Sequence, residues 1–279
     1  MIINRTASQT DLVQILNWAR DEGWNPGLQD AEAFWQADPE GFFVATDGTE
    51  LLAAISVVNH SADFAFLGLY ITQPSHRGQG VGYALWQHAL QHAGSRTIGL
   101  DGVPDQQANY AASGFDLFSA TTRFTGSIPP TRHPQIRMAT ARDQPALIAM
   151  EAAVSGTAKP AYLNAWFTEA DSRKTLILSE RGTITGCCTV RQCASGAKIG
   201  PLLAQSADDA RSLLSHAASL FGEVITLDVP DTSAALKTLC TTLDLTPGFA
   251  TARMYRGPAP RVNKETSTEF FAVTSLELG

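Results

Sequence analysis

The chain is poor in residues that would mark a metal site, a disulfide framework, a membrane span or a nucleic-acid surface. Its four cysteines, Cys187, Cys188, Cys193 and Cys240, have no CxxC spacing and no histidine close by in sequence. No metal is therefore expected. Cys187 and Cys188 lie in an apolar, strand-like run, and all four read as buried reduced thiols. No apolar run reaches the roughly 20 residues that cross a bilayer, and Met1-Ile2-Ile3-Asn4-Arg5 carries no signal-peptide core. No membrane partner is expected, and the cytoplasm is the expected compartment. Lys and Arg total 20 against 27 Asp and Glu, a net charge of -7. That balance argues against nucleic acid as the partner, because phosphate binding needs a basic face.

The rest is globular material: 279 residues, 44% hydrophobic and 17% charged, enough for two domains of ordinary size. The boundary falls in the Pro-rich stretch Ser127-Ile128-Pro129-Pro130-Thr131-Arg132-His133-Pro134. Proline donates no amide and fixes φ, so regular structure does not run through it. This predicts a first domain over 1–126, a linker over 127–134 and a second domain over 135–279. In the first, Thr10 or Asp11 is expected to cap a helix to about Asp21, followed by a loop through Trp24 and a helix carrying Phe34 and Trp35. Strands are expected over 41–46, 50–59 and 63–72, with Asp47-Gly48 as a hairpin turn. A helix over 82–93, a strand over 97–103, a short helix near 106–113 and a strand over 115–125 follow. The second half repeats this order and adds a strand over 270–278. The fold class is α/β with a mixed, partly splayed sheet, and the halves read as a diverged duplication.

The informative segment is Leu69-Tyr70-Ile71-Thr72-Gln73-Pro74-Ser75-His76-Arg77-Gly78-Gln79-Gly80-Val81-Gly82. A strand runs into a loop with three alternating glycines, and a helix starts. Glycine lets backbone amides approach an anion with no side chain between them. The helix N-terminus adds unpaired donors and a favourable dipole, so a diphosphate is a natural guest, and Arg77 adds charge. A P-loop is rejected, since no Lys-Ser or Lys-Thr follows the glycines. A dinucleotide fold needs GxGxxG in its first βα unit, whereas this spacing is GxGxG after helices and hairpins. The acyl-CoA loop Gln/Arg-x-x-Gly-x-Gly/Ala fits Arg77 to Gly82.

On this loop and on Asn109-Tyr110-Ala111-Ala112-Ser113-Gly114-Phe115, the chain resembles the GNAT N-acetyltransferase superfamily. The resemblance is specific over residues 1–126. Beyond about 134 it rests on element order and Gly248-Phe249, and it implies two tandem GNAT-like acyl-CoA N-acyltransferase domains, the second degenerate. Ile98 to Val103, Lys198 to Leu202 and Leu276-Glu277-Leu278-Gly279 are further matching segments of a two-domain subfamily. The resemblance implies acetyl-CoA (CoA) as the donor cofactor and acyl transfer by direct attack of a primary amine on a small-molecule acceptor. It also implies a monomer or homodimer, binding of the cofactor by Leu69, Tyr70, Ile71, Arg77, Gly78, Gln79, Gly80, Val81 and Gly82, and Tyr110 as proton donor to sulfur. A phenol with pKa about 10 suits a departing thiol.

Many relatives carry a glutamate on the strand before the loop, but Phe64-Ala65-Phe66-Leu67-Gly68-Leu69-Tyr70 has no carboxylate. His60, Asp63 and Asp101 are the nearby alternatives for a base, or water relays the proton. Asp101 either binds the acceptor or anchors the loop. Trp24, Asp30 and Trp35, with Glu22, are acceptor candidates, since an acidic, aromatic pocket suits a cationic amine. His88 and His92 read as a solvated helix face rather than a metal pair. In the second half, Ala204-Gln205-Ser206-Ala207-Asp208-Asp209 has no glycine and two acids that repel a diphosphate, so no CoA is expected there. Residues 270–278 are expected to add a last strand near the domain junction. A non-catalytic acyl-CoA-binding module and a nicotinamide-dependent enzyme are the rival readings.

Overall fold

The computed structural model describes residues 1–262 and 268–279. Its first half runs β1 (Ile2–Thr6), α1 (Gln9–Asp21), α2 (Asp30–Ala37), β2 (Phe42–Asp47), β3 (Glu50–Asn59), β4 (Phe64–Thr72), α3 (Val81–Ala93), β5 (Thr97–Gly102), α4 (Gln107–Ala112) and β6 (Asp116–Ser127). The second half repeats it: β7 (Ile136–Met138), α5 (Gln144–Ser155), α6 (Pro160–Phe167), β8 (Arg173–Glu180), β9 (Thr183–Gln192), β10 (Ala197–Ala204), α7 (Ala207–Phe221), β11 (Val224–Pro230), α8 (Ala234–Thr242) and β12 (Thr246–Arg256). A short β13 (Phe270–Ala272) follows.

One local expectation needs correcting, and one strand had no expectation. Ser8 caps α1, its hydroxyl accepting from the Asp11 amide at 3.1 Å while Asp11 accepts from the Ser8 amide at 2.7 Å. This is a reciprocal capping box, which places Asp11 inside the first turn. β1 carries no alternation to read, because its residues are exposed or nearly so, and it joins β2 as an edge strand.

All the strands form one mixed sheet in the order β1-β2-β3-β4-β5-β12-β6-β11-β10-β9-β8-β7. The halves exchange their last long strands. β12 sits between β5 and β6, and β6 pairs β11. The centre is pseudo-symmetric: Thr121 pairs Thr251, Arg253 faces Asp101 across β12 and β5, and Arg123 faces Asp228 across β6 and β11. The missing last strand of the first half's sheet is therefore β12. The strand expected over 270–278 is only three residues long and pairs β10 alone. β12 can ladder on both edges, whereas after β13 the Val273 amide turns to the Asp228 carbonyl and the chain bends across the sheet.

Alternation along the strands decides which helices cover each face. Val44, Ala54 and Val58 join α1, α2 and the second half's α5 and α6 in one apolar cluster, while Phe43, Ala45, Ala53, Ile55 and Val57 pack with α3. Phe34 of α2 stacks on Trp166 of α6, with ring centroids 6.0 Å apart. The shared cluster locks the two halves together across the sheet, and burying a Phe-sized side chain contributes roughly 1.5–3 kcal/mol.

Candidate active site

β4 and β5 pair in parallel only from Phe64–Leu67 to Thr97–Leu100. Past Leu67 they separate. On its other edge β4 bulges against β3: Gly68 faces Ser56 and Ile71 faces Ala54, so Leu69 and Tyr70 oppose the single residue Ile55. Leu69 takes φ +48°, a strained value for a side chain of this kind. The bulge and the separation leave the Leu69–Ile71 edge unpaired on the side toward β5.

The glycines between β4 and α3 serve two purposes. Gly78 and Gly80 have φ +73° and +81°, and the space where each Cβ would stand is open. Gly80 is the N-cap of α3 and offers no capping side chain, so the first-turn amides keep their donors for an anion. Gly82 is needed for close packing: its Cβ would lie 2.5 Å from Thr72 Oγ1 and 2.8 Å from the Tyr70 hydroxyl. Arg77 donates through Nε to the Thr72 carbonyl at 2.9 Å and through Nη2 to Glu22 at 2.5 Å. Gln79 ties the loop to itself by donating to the Ser75 carbonyl. Val81 is buried beneath the helix start. Arg77, Gly78, Gly80, Gly82, Tyr70 and Ile71 line one cleft. Open positive-φ glycines, a helix start without a side-chain cap and an adjacent guanidinium fit the diphosphate of CoA.

This cleft meets an inner cavity, and Trp24, Tyr70, Val103 and Gln106 line both. Tyr110, on α4, lines the inner cavity. Its ring stacks on Trp86 at 5.6 Å and meets Phe115 edge-on at 6.5 Å. Gly102 makes room for it, since a Cβ there would lie 2.8 Å from the Tyr110 ring. Burial, with the Tyr70 phenol beside it, pushes the Tyr110 phenol well above its ordinary value, so the hydroxyl stays protonated as a donor. The opposite wall comes from the exchanged strands and the last residues: Arg123, Phe249, Thr251, Leu276 and Glu277. Arg123 forks onto Asp228 at 2.7 and 2.9 Å and lies over the Phe249 ring. The Trp24 carbonyl accepts from Arg123 at 3.2 Å and from Lys198 Nζ at 2.9 Å, so one residue of each half holds Trp24 in place.

Residues 10–115 match the model of the Acetyltransferase (GNAT) family, and residues 147–268 match the Acetyltransferase (GNAT) domain. The chain is 31% identical to a holothin acyltransferase of Pseudoalteromonas sp. (strain SANK 73390) over 276 residues, which cover 95% of this chain and 91% of the relative. The chain belongs to the GNAT acetyltransferase family. It carries two GNAT domains in tandem. In fold, this GNAT chain is similar to a putative acetyltransferase from Pyrococcus horikoshii, with TM-score 0.83 at 17% identity, covering 100% of this chain and 96% of that one. It is also similar to a tandem GNAT protein from the clavulanic acid biosynthesis pathway, with TM-score 0.62 at 14% identity, covering 92% and 99%.

The remaining candidates of this GNAT chain divide between the cavity and the core. Asp101 lines the cavity, but both its oxygens are taken by Arg253, at 2.9 and 2.7 Å. Burial raises its carboxyl above the usual range, against the lowering effect of Arg253. Asp30 and Trp35 lie outside the cavity. Asp30 accepts from the Gly27 amide and pairs with Arg191, each about 1% exposed, which makes it a core ion pair. Trp35 stacks on Phe42 at 6.2 Å, because α2 turns that face toward β2. His60 is buried and donates Nε2–H to the Leu278 carbonyl at 2.8 Å; burial lowers its pKa to about 3. Asp63 accepts from Ser61 within a turn. His92 pairs with Asp38 at 2.7 Å and His88 packs edge-on to Phe43, so these two are half-buried packing groups rather than a solvated face.

The equivalent groove in the second GNAT half is closed from within. The Ser206 hydroxyl caps α7 by accepting from the Asp209 amide at 3.1 Å, and Asp208 and Asp209 fill the first turn. β13 pairs with Leu202–Ala204 of β10, the counterpart of the open Tyr70–Thr72 edge of β4. Glu277 escaped the sequence reading as a site residue. Its only signal there was membership in the matching closing segment, and nothing local in sequence placed it beside Gly68.

Proposed function

We propose that this GNAT acyltransferase moves an acetyl group, or another short acyl group, from acetyl-CoA to the primary amine of a small-molecule acceptor. The observation that carries the reading is the junction of the glycine-loop cleft with a cavity holding Tyr110, at the point where β4 leaves β5. Residues 1–126 carry the donor groove, and residues 135–279, with Arg123, supply the far wall of the acceptor space.

When bound, the CoA thioester supplies the activated acyl carbon. The α3 amides and Arg77 hold its diphosphate. The open edge Leu69–Ile71 takes the peptide-like pantetheine arm as an added strand and sets the thioester carbonyl against a backbone amide. Tyr110 donates its proton to the departing sulfur and recovers one from solvent. Trp24 and Phe249 give the acceptor an aromatic surround. The relative's name makes holothin the first acceptor to test.

Calorimetry with CoA, and thiol release from acetyl-CoA with holothin, spermidine and kanamycin, test the reading. We expect CoA to bind and one amine class to drive release. Tyr110→Phe should lower kcat by about 10²-fold or more while CoA affinity holds within about threefold. CoA binding without thiol release would favour the non-catalytic module, and binding of NAD in place of CoA would end the acyltransferase reading.

A further inference from the structure

We propose that Glu277, carried by the closing segment rather than by β4, is the general base that takes the proton from the acceptor amine. The proposal rests on the acyltransferase reading above and names the group that reading lacks.

β4 has no carboxylate between Phe64 and Tyr70, yet one is brought to the same place from 200 residues further along the chain. The Glu277 backbone carbonyl lies against Gly68, where any Cβ would collide with it. Glu277 is part of the wall of the inner cavity, as is Tyr110. It is 4% exposed, and Oε2 has no hydrogen-bond partner among the described residues. Leaving a carboxylate oxygen buried and unpartnered costs stability unless something enters the site to meet it.

The neighbouring acids are committed. Asp101 is forked onto Arg253, Asp228 onto Arg123, and Asp30 is bound by Arg191. Lys198, the cation facing Glu277, stands 3.9 Å from Oε1 and gives its hydrogen bond to the Trp24 carbonyl. Glu277 thus faces Lys198 without being chelated, in the wall of the space an amine must enter. The segment that carries it is fastened on several sides. Tyr162 donates to Ser275 Oγ, the Leu278 amide donates to the same oxygen, and His60 holds the Leu278 carbonyl.

The proton balance is complete. Glu277 takes one proton from the acceptor nitrogen as the N–C bond forms and the C–S bond breaks. Tyr110 gives one proton to sulfur, so the products are the amide and the CoA thiol. Solvent then removes the proton from Glu277 and restores the one on Tyr110.

Glu277→Gln keeps the shape and removes the base. With acetyl-CoA and the amines named above, we expect its kcat to fall by about 10²-fold. The acceptor KM should move less than about threefold, and CoA affinity should stay unchanged. Glu277→Asp keeps a carboxyl group facing Lys198 but withdraws it by one methylene. It should show an intermediate loss of kcat, and it carries the test alone if the Gln variant does not fold. A Gln variant within threefold of the parent kcat, or one changed only in acceptor KM, overturns the assignment of Glu277 alone. A parent protein that binds CoA and releases no thiol with any of the amines overturns the assignment together with the acyltransferase reading.

Discussion

Acidifying the protein from pH 7.5 to pH 5 should remove stability through one buried histidine. His60 lies against the Phe64 ring at 6.2 Å and the Tyr162 ring at 5.7 Å, and Nε2 donates to the Leu278 carbonyl. Burial is the main reason its pKa falls from 6.5 to about 3. The Lys159 charge adds to that fall, while the Leu278 bond and Asp38 oppose it. The folded value lies below the unfolded one, so on acidification the unfolded chain takes the proton first. The contribution is complete above about pH 6.5 and drains away toward pH 3. One pH unit in that window is worth about 1.4 kcal/mol, which gives a loss of about 2 kcal/mol by pH 5, before carboxylates titrate. For a chain of this size that corresponds to a fall of about 4–8 °C in melting temperature. His60→Gln retains a donor for Leu278 without the titration. Thermal melts of both proteins at pH 7.5, 6 and 5 should show the parent losing about 2 kcal/mol more than the variant. Equal losses in the two proteins would refute the assignment.

Gly68→Ala would drive a Cβ into the backbone carbonyl of Glu277. Overpacking of this kind costs about 1–3 kcal/mol; thiol release should collapse while CoA affinity, read by calorimetry, holds, because the glycine loop is untouched. Arg253→Met would strip the partner from Asp101, whose side chain is 1% exposed. An uncompensated buried charge costs about 3–5 kcal/mol, and denaturant unfolding should show this loss and its substantial recovery when Asp101→Asn is added.

Much of the donor half was legible because its chemistry is local. The strand, the three glycines and the helix start lie within a dozen or so residues, so the spacing alone announced an anion cradle, and Tyr110 lay a short helix before Gly114. Elements with strong periodicity or turn signals, such as β3, α7 and the Asp47-Gly48 hairpin, fell where pattern placed them. Trp24 and Asp101 were found in the cavity, whereas Asp30 and Trp35 were drawn into the core by Arg191 and Phe42, partners that no local pattern reveals. The exchange of β6 and β12 was equally invisible. Nothing local in either half's last strand says which sheet it joins, and only the competition among long-range ladders decides it. That same competition carries residues 273–279 back over Gly68 and delivers Glu277. Sequence spacing encodes groups that act through adjacent backbone, while groups that meet across the sheet are set by packing and by the pairing of buried charge.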